Sequence, residues 1–436
     1  MRRQPVRVLI VGGGPTGAAL ALLLSQRGIP FILIEASRSL DRLFRGEALM
    51  PSGLAALEQI GGADLLDGLP QRPLAGWRFV LDGRELFRAA EPLTPGPACT
   101  LVSQPALLER LLERAADCPG CQVLRGTAAA GLLEQNGRIA GVRLADGQEL
   151  RADLVLACDG RSSSLRRQAG LELQEQSSPL DLHWFQLPGA STTSAAPPLP
   201  QGDWFTTVVG PAGIFSLFTG ATGVAQLAWV RPHRAEATDP RQHPQAAAPW
   251  PECWARQSPP ELAAWLRKGS VHATAPVPLA VRVGLAPLWH RPGLLLLGDA
   301  AHPMSPVRAQ GINMGLRDAL AAANHLIPLL AEGAQPATSQ LDAALATIAA
   351  ERLPEIQTLQ TLQRQEAERG MLLQGQPWLR ALLLAGAPLL APALRHHWIE
   401  QQRPLRQGVT TLNLLESLRL LESWAPAMMQ RPARAE

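Results

Sequence analysis

The chain has 436 residues, 46% of them apolar, and a net charge of +3 from 40 basic and 37 acidic groups. That is enough for two or three domains with filled cores, and it excludes a disordered chain. The charges are interspersed with no basic block, which argues against nucleic acid as a partner. The five cysteines, Cys99, Cys118, Cys121, Cys158 and Cys253, are odd in number and scattered. They fit a reduced, cytoplasmic protein better than a disulfide framework. Cys118-Pro119-Gly120-Cys121 reads as a turn that happens to hold two thiols, and no metal site is expected. Lys268 is the only lysine, and tyrosine is absent.

In chain order, Val6–Ile10 is an apolar strand that runs into Val11-Gly12-Gly13-Gly14-Pro15-Thr16-Gly17. An alanine- and leucine-rich helix follows to Arg27, then a second apolar strand ending at Glu35 and Ala36. This is the nucleotide-binding half of a Rossmann unit. Gly12 allows the sharp turn, Gly14 lets a pyrophosphate approach the backbone, and Gly17 lets helix and strand lie close. The helix start favours the diphosphate anion, and Pro15 costs nothing there because its missing N–H has no partner to lose. Glu35 can accept from both ribose hydroxyls and would repel a 2′-phosphate, so the expected ligand is of the FAD or NAD type.

Beyond a loop with Arg38, Arg42 and Arg45, Pro51–Ile60 reads as a short helix. The stretch from Trp77 to Thr100 reads as strands around an Asp82-Gly83 hairpin turn. Ser103 is a plausible N-cap for an amphipathic helix to Ala116. Short strands follow, with turns at Asn136-Gly137 and Asp146-Gly147. Asp153–Cys158 is another fully apolar strand, ending in Asp159-Gly160-Arg161-Ser162-Ser163-Ser164-Leu165-Arg166. From Leu180 to Val283 the segments read as an antiparallel sheet, with a long loop expected over Arg231–Pro260. Trp184, Trp204, Trp229, Trp250, Trp254, Trp265 and Trp289 cluster in or beside this region. They are expected to fill a core, with two or three lining an apolar pocket. Leu294–Leu297 leads into Gly298-Asp299-Ala300-Ala301-His302-Pro303 and then a helix from about Ile312 to Leu330. His302 is expected to be a packing or hydrogen-bonding residue. The rest is helical with proline breaks. The uncharged run Ala381–Leu394 is too short by itself to span a bilayer. A buried or surface-lying helix is expected, with peripheral membrane contact but no transmembrane segment.

Three separated motifs, Gly12–Gly17 with Glu35, Asp159–Arg166, and Gly298–Asp318, occur in an order and at spacings that resemble the single-component FAD-dependent aromatic hydroxylases. These are the p-hydroxybenzoate hydroxylase-like, class A flavoprotein monooxygenases. Arg45-Gly46 through Pro51, Gln104 in Ser103-Gln104-Pro105, and Asp181–Pro188 also fit the pattern. The resemblance covers about residues 6 to 330. It implies an α/β protein with a discontinuous Rossmann-type FAD-binding domain (1–75, 101–178 and 285–330) containing a parallel sheet. An inserted antiparallel substrate-binding sheet (76–100 and 179–284) and a C-terminal helical region (331–436) complete it.

By the same resemblance, Glu35 binds the adenosine ribose. Asp159 and Gly160 support the pyrophosphate region, where their neighbours help the nicotinamide donor. Gly298 and Asp299 hold the ribityl chain, and Pro306 lies by the flavin ring. The backbone of Gly311, Ile312 and Asn313 meets the flavin N1–C2=O edge, and Arg45 and Gln104 touch the flavin from the side. Ala309 stands where the family usually has glycine. NAD(P)H would dock transiently, there being no second Gly-x-Gly-x-x-Gly unit. O2 and an aromatic or other electron-rich apolar small molecule would be the co-substrates, reacting through a flavin C4a-hydroperoxide. With no tyrosine to deprotonate a phenol, catalytic help is expected from a His, an Arg or an acid of the substrate sheet. His183 is the first candidate, with Arg45 and Pro306 as the other catalytic candidates. A flavin-dependent halogenase is disfavoured because Lys268 lies inside the substrate domain. A flavin-dependent reductase of isoprenoid or lipid double bonds, and a non-catalytic FAD-binding protein, are the alternatives.

Overall fold

The computed structural model describes residues 6–41, 47–176, 180–187, 198–232, 250–268, 274–279, 281–331, 333–334 and 336–418. Five parallel strands form its centre, in the spatial order Leu294–Leu296, Glu149–Ala157, Val6–Val11, Phe31–Glu35 and Gln122–Arg125. Phe31–Glu35 is buried throughout, as expected of a parallel strand covered on both faces. Glu149–Ala157 is one continuous strand where the sequence suggested two. Its first half also pairs antiparallel with Arg138–Leu144, and its second half carries the parallel core.

The strands Val6–Val11, Phe31–Glu35, Glu149–Ala157 and Leu294–Leu296 end at the same edge of the sheet. The first strand has one neighbour on each side, reached by connections that leave in opposite directions. The crevice at such a switch point is where ligands bind in open α/β sheets. The helices Pro15–Ser25, Gln104–Ala116 and Gln310–Leu330 pack together against this layer around one large aliphatic core.

A second sheet runs in the order Val277–Leu279, Leu180–Leu187, Ala225–Pro232, Gly213–Thr219, Trp204–Gly210, Gly76–Leu81, Arg84–Ala90. All its pairs are antiparallel except Trp204–Gly210 with Gly76–Leu81. The hairpin turn is Asp82-Gly83, both with positive φ, at 44° and 77°. Strand alternation separates two faces. Phe185, Leu187, Phe215, Leu217, Leu227 and Trp229 point into a core closed by Trp254 and Trp265. Leu182, Trp184, Ser216, Gln226, Ala228 and Val230 point the other way. The loop expected over Arg231–Pro260 lies partly outside the described residues, and its last part is helical, at Trp250–Arg256.

Two long helices follow, Thr338–Gly375 and Pro377–Gln407. The second contains the uncharged run Ala381–Leu394, expected to be a buried or surface-lying helix. This 31-residue helix is long and apolar enough to cross a membrane by length and composition. It is instead tied along the second sheet. Arg380 Nε donates to both carboxylate oxygens of Asp82 (2.9 and 2.8 Å), and Arg406 makes a bidentate, fully buried pair with Glu91 (2.6 and 2.6 Å).

Candidate active site

At the nucleotide end, Gly12 has φ +109° and donates its N–H to Ile34 O (2.8 Å). A Cβ there would lie 2.3 Å from the Cys158 carbonyl oxygen, and one at Gly17 would lie 2.0 Å from Gly12 O. These two glycines are required by the close approach of helix, turn and strand. Gly14 is different, because an added Cβ would meet nothing within 4 Å. Its lack of a side chain keeps space open at the start of the Pro15–Ser25 helix, where no side chain caps the free N–H groups.

Glu35 is buried. Its Oε2 accepts from Gly13 N (2.8 Å) and its Oε1 from Ser37 N (2.9 Å), so the carboxylate braces the glycine turn, with Ala36 exposed beside it. Asp159 Oδ2 accepts from Leu165 N (3.2 Å), while its Oδ1 is buried with no partner in the protein. A cleft of about 400 Å3 runs between Glu35, Ala36, Gly12, Asp159, Gly160 and Asp299.

Thr16 draws the first and third motifs together. A Cβ at Gly298, where φ is +60°, and a Cβ at Gly315 would each lie 2.4 Å from Thr16 Oγ1. The fingerprint helix, the Gly298-Asp299 turn and the Gln310–Leu330 helix therefore meet on that one hydroxyl. Behind the turn, buried Asp318 accepts from Gly298 N (2.9 Å), pairs through Oδ2 with His302 Nε2 (2.6 Å) and through Oδ1 with Arg352 Nε (2.8 Å). Burial alone would raise the Asp318 carboxyl, but His302 and Arg352 override it and hold its pKa down to about 2. Arg352 and Arg317 share Glu355, whose Oε1 also accepts from Val409 N (2.7 Å). The His302 ring lies 5.0 Å from that of Trp289, in the structural role the sequence suggested.

The loop after Pro306 holds Arg308 and Ala309 in the left-handed region, at φ 58° and 48°. Only then does the Gln310–Leu330 helix begin, so the first-turn N–H groups of Gly311 and Ile312 have no intrahelical acceptor. Pro306, Gly311, Ile312 and Gln104 all line the larger cavity. The Asn313 side chain is committed elsewhere: Oδ1 accepts from Met50 N (2.8 Å), and Nδ2 donates to Ala48 O (3.1 Å) and Ala309 O (2.8 Å). It positions the Ala48–Met50 segment. Arg45 lies outside the described residues.

The larger cavity, about 700 Å3, shares Gly14, Cys158, Gly160, Arg161 and Asp299 with the cleft, so the two form one continuous crevice. Its far wall is aromatic: Trp77, Phe79, Trp184, Phe205, Phe218 and Trp398. Of the clustered tryptophans, Trp184 reaches this wall, whereas Trp229, Trp250 and Trp254 pack edge-on around each other and Phe185 in the opposite core. His183 is corrected by the same alternation. Its neighbours Leu182 and Trp184 line the cavity, and His183, paired across the strands with Trp229, belongs to the other face. Beside Asp299 and Glu366, the cavity is lined by an acid the sequence did not single out, Glu47. Its Oε2 accepts from Ala221 N (3.0 Å), and its Oε1 accepts from Gln226 Nε2 (3.4 Å), whose Oε1 in turn accepts from Trp184 Nε1 (3.2 Å). Burial pushes the Glu47 carboxyl above the ordinary carboxylate range, against the two donors that lower it. Its signal in the sequence was its place immediately after Arg45-Gly46.

The FAD binding domain family matches residues 5–360. The chain belongs to this family of FAD-dependent monooxygenases. The flavoprotein is 36% identical over 364 residues, 80% of each chain, to a 6-methylpretetramide 4-monooxygenase of Streptomyces rimosus. It is 29% identical to a ubiquinone hydroxylase of Rhodospirillum rubrum, over 77% of this chain and 75% of that one. Among solved structures, p-nitrophenol 4-monooxygenase from Pseudomonas putida superposes with a TM-score of 0.72 at 19% identity, covering 93% of this chain and 99% of that one. This shows the shared fold.

The residues of this flavoprotein fit its cofactor. The approach at Gly14 is open, Asp159 Oδ1 is buried without a partner, and the N–H groups at two helix starts face one crevice. Reduction places negative charge on the flavin N1–C2=O edge, and a helix start stabilises an anion.

Proposed function

We propose that the enzyme consumes NAD(P)H and O2 to hydroxylate an aromatic or polycyclic, largely apolar small molecule. The observation that carries this is the continuity of the crevice from Gly14 and Asp299, past Pro306, to the aromatic wall of Trp77, Trp184, Phe205 and Trp398. The cavity of about 700 Å3 takes the flavin ring at its Gly311 end and leaves the aromatic end for an apolar small molecule. The names of relatives that act on 6-methylpretetramide, resorcinol and ubiquinone support a ring-bearing substrate.

In this reading Glu35 takes the adenosine ribose. Gly12, Gly14, Pro15, Thr16 and Gly17 take the pyrophosphate with Asp159 and Gly160, and Gly298 and Asp299 take the ribityl chain. Pro306, Gly311, Ile312 and Gln104 border the ring. When bound, FAD supplies the electrons and the oxygen activation. The chain supplies position, a dry aromatic wall and one proton acceptor: Glu47 takes the proton of a substrate hydroxyl, oriented by Gln226 and Ala221 N.

The test is turnover of the purified holoenzyme with NADH or NADPH and a panel of phenols and quinols under labelled O2. Incorporation of label into product, with NAD(P)H consumption well above free-flavin background, is expected. Oxygen-independent reduction of a substrate double bond, or no turnover above background, would sink the reading.

A further inference from the structure

The Pro377–Gln407 helix has two unlike faces. Leu383 and Leu394 line the cavity, and Leu384 is buried against Leu81, Leu86 and Val209. On the opposite side Trp378, Leu382 and Leu389 follow one another at helical spacing and stand 65%, 59% and 86% exposed, with Leu390 beside them and Leu372 of the preceding helix extending the patch. The run Ala381–Leu394 holds no charge. At 1.5 Å per residue it presents a strip about 20 Å long.

The surrounding charge is one-sided. From Arg369 to Ile399 there is no Asp or Glu, while Arg369, Arg395, His396 and His397 fall within it; Arg380 is buried against Asp82 and adds nothing to the surface charge. Arg395, His396 and His397 are exposed at one end of the strip, and Trp378 stands at the other. An apolar strip between an interfacial tryptophan and a basic cluster matches the chemistry of an anionic lipid surface.

The helix cannot leave the protein to span a bilayer without breaking the Arg380–Asp82 and Arg406–Glu91 pairs that hold both its ends. Pro388 and Pro392 carry no N–H, so two carbonyls one turn earlier lose their helical donor, which is costly in hydrocarbon. We propose that this face lies in the headgroup boundary of an anionic bilayer, making the enzyme a peripheral, monotopic protein with the wall of its cavity against the lipid. The proposal concerns where the enzyme sits and does not depend on which substrate it takes.

The experiment is co-sedimentation of the FAD-loaded enzyme with vesicles of phosphatidylcholine containing about one-third phosphatidylglycerol. Binding is expected, and the combined substitutions Leu382→Glu, Leu389→Glu and Leu390→Glu should weaken it by about tenfold or more. FAD content and Tm report whether that variant folds. Leu389→Glu alone, at the most exposed position, gives a smaller loss in the same direction. A readout that needs no charge substitution is quenching by bromine-labelled acyl chains, expected for the wild type and reduced in Trp378→Phe. Absence of vesicle binding, binding indifferent to these substitutions, or a dimer in sedimentation velocity that the triple variant dissolves while vesicles bind neither form, would each overturn the proposal. The last outcome would make the face a contact between two copies.

Discussion

The guanidinium of Arg308 lies 5.1 Å from the centre of the Trp398 ring. One residue belongs to the loop that precedes the Gly311 helix start, the other to the C-terminal helix. The same guanidinium lies 4.8 Å from Trp77 and is paired with Glu366. Four elements therefore close the aromatic wall on a single cation, and its strained backbone, φ 58°, is held in place by what its side chain binds.

Arg308→Met should release that closure. The substitution leaves Glu366 without its cation and removes the contacts to the Trp77, Phe79 and Trp398 rings, a loss of about 2–4 kcal/mol. Thermal unfolding should show the loss, and limited proteolysis should cut first near the Pro377–Gln407 helix. Arg308→Lys should recover less than half, because an ammonium cannot reproduce the planar fork.

Gly12 and Gly14 should separate folding from cofactor binding. Gly12→Ala puts a methyl 2.3 Å from Cys158 O and should destabilise the apoprotein itself. Gly14→Val has room in the protein, so the apoprotein Tm should hardly move while FAD affinity falls by about tenfold or more, the side chain filling the space the pyrophosphate needs. FAD titration of the apoproteins checks both.

Ala309→Gly should stabilise the protein slightly. Its φ of 48° costs a residue with a Cβ about 1–2 kcal/mol, partly offset because glycine gains freedom in the unfolded chain. A net gain of about 0.5–1 kcal/mol is expected in denaturant unfolding, with FAD content unchanged.

Asp318 sets an acid limit on stability. Its pKa is depressed in the folded protein, to about 2, so its contribution is complete above the unfolded value and is lost as pH falls from about 4 towards 2. That shift corresponds to about 2 kcal/mol for this fully buried group. Asp318→Asn should cost about 3–5 kcal/mol at neutral pH, by leaving Arg352 buried against a neutral amide, and should flatten the dependence of Tm on pH in that acid window. FAD release should accompany it, because an amide has one acceptor oxygen and cannot serve Arg352 and the Gly298 and His302 groups at once.

Glu47→Gln tests the proton acceptor. With phenolic substrates kcat should fall by about 10²–10⁴-fold, and the acid limb of the rate profile, which the raised Glu47 pKa places above the ordinary carboxylate range, should disappear. FAD content should stay near wild type, while Tm should fall slightly, because the amide keeps one acceptor oxygen where the carboxylate served both Ala221 N and Gln226 Nε2. An unchanged pH profile would remove Glu47 from the mechanism.

Local patterns carried much of the architecture. The glycine turn, the Glu35 carboxylate, the apolar strands ending at Glu35, Cys158 and Leu297, and the Asp82-Gly83 hairpin are each written in contiguous residues, because turn geometry and burial on both strand faces restrict side chains within a few positions. The site beyond them was less legible. Which face of a strand looks into a cavity depends on its register with strands far along the chain. His183 and Trp184 are one residue apart, and only the pairing with Ala225–Pro232 sends them to opposite sides. Glu47 becomes a cavity acid through Ala221 and Gln226, some 175 residues away.

The sequence by itself therefore determined the cofactor class, the two-sheet architecture and the three cofactor-facing turns, since these follow from short-range sterics and backbone hydrogen bonding. Tertiary structure alone decided which aromatics form the wall, and that Glu47 faces the cavity. It also decided that the apolar C-terminal helix lies against the protein rather than leaving it. Those outcomes rest on contacts such as Arg406 with Glu91, between residues more than 300 positions apart, whose proximity exists only once the chain has packed.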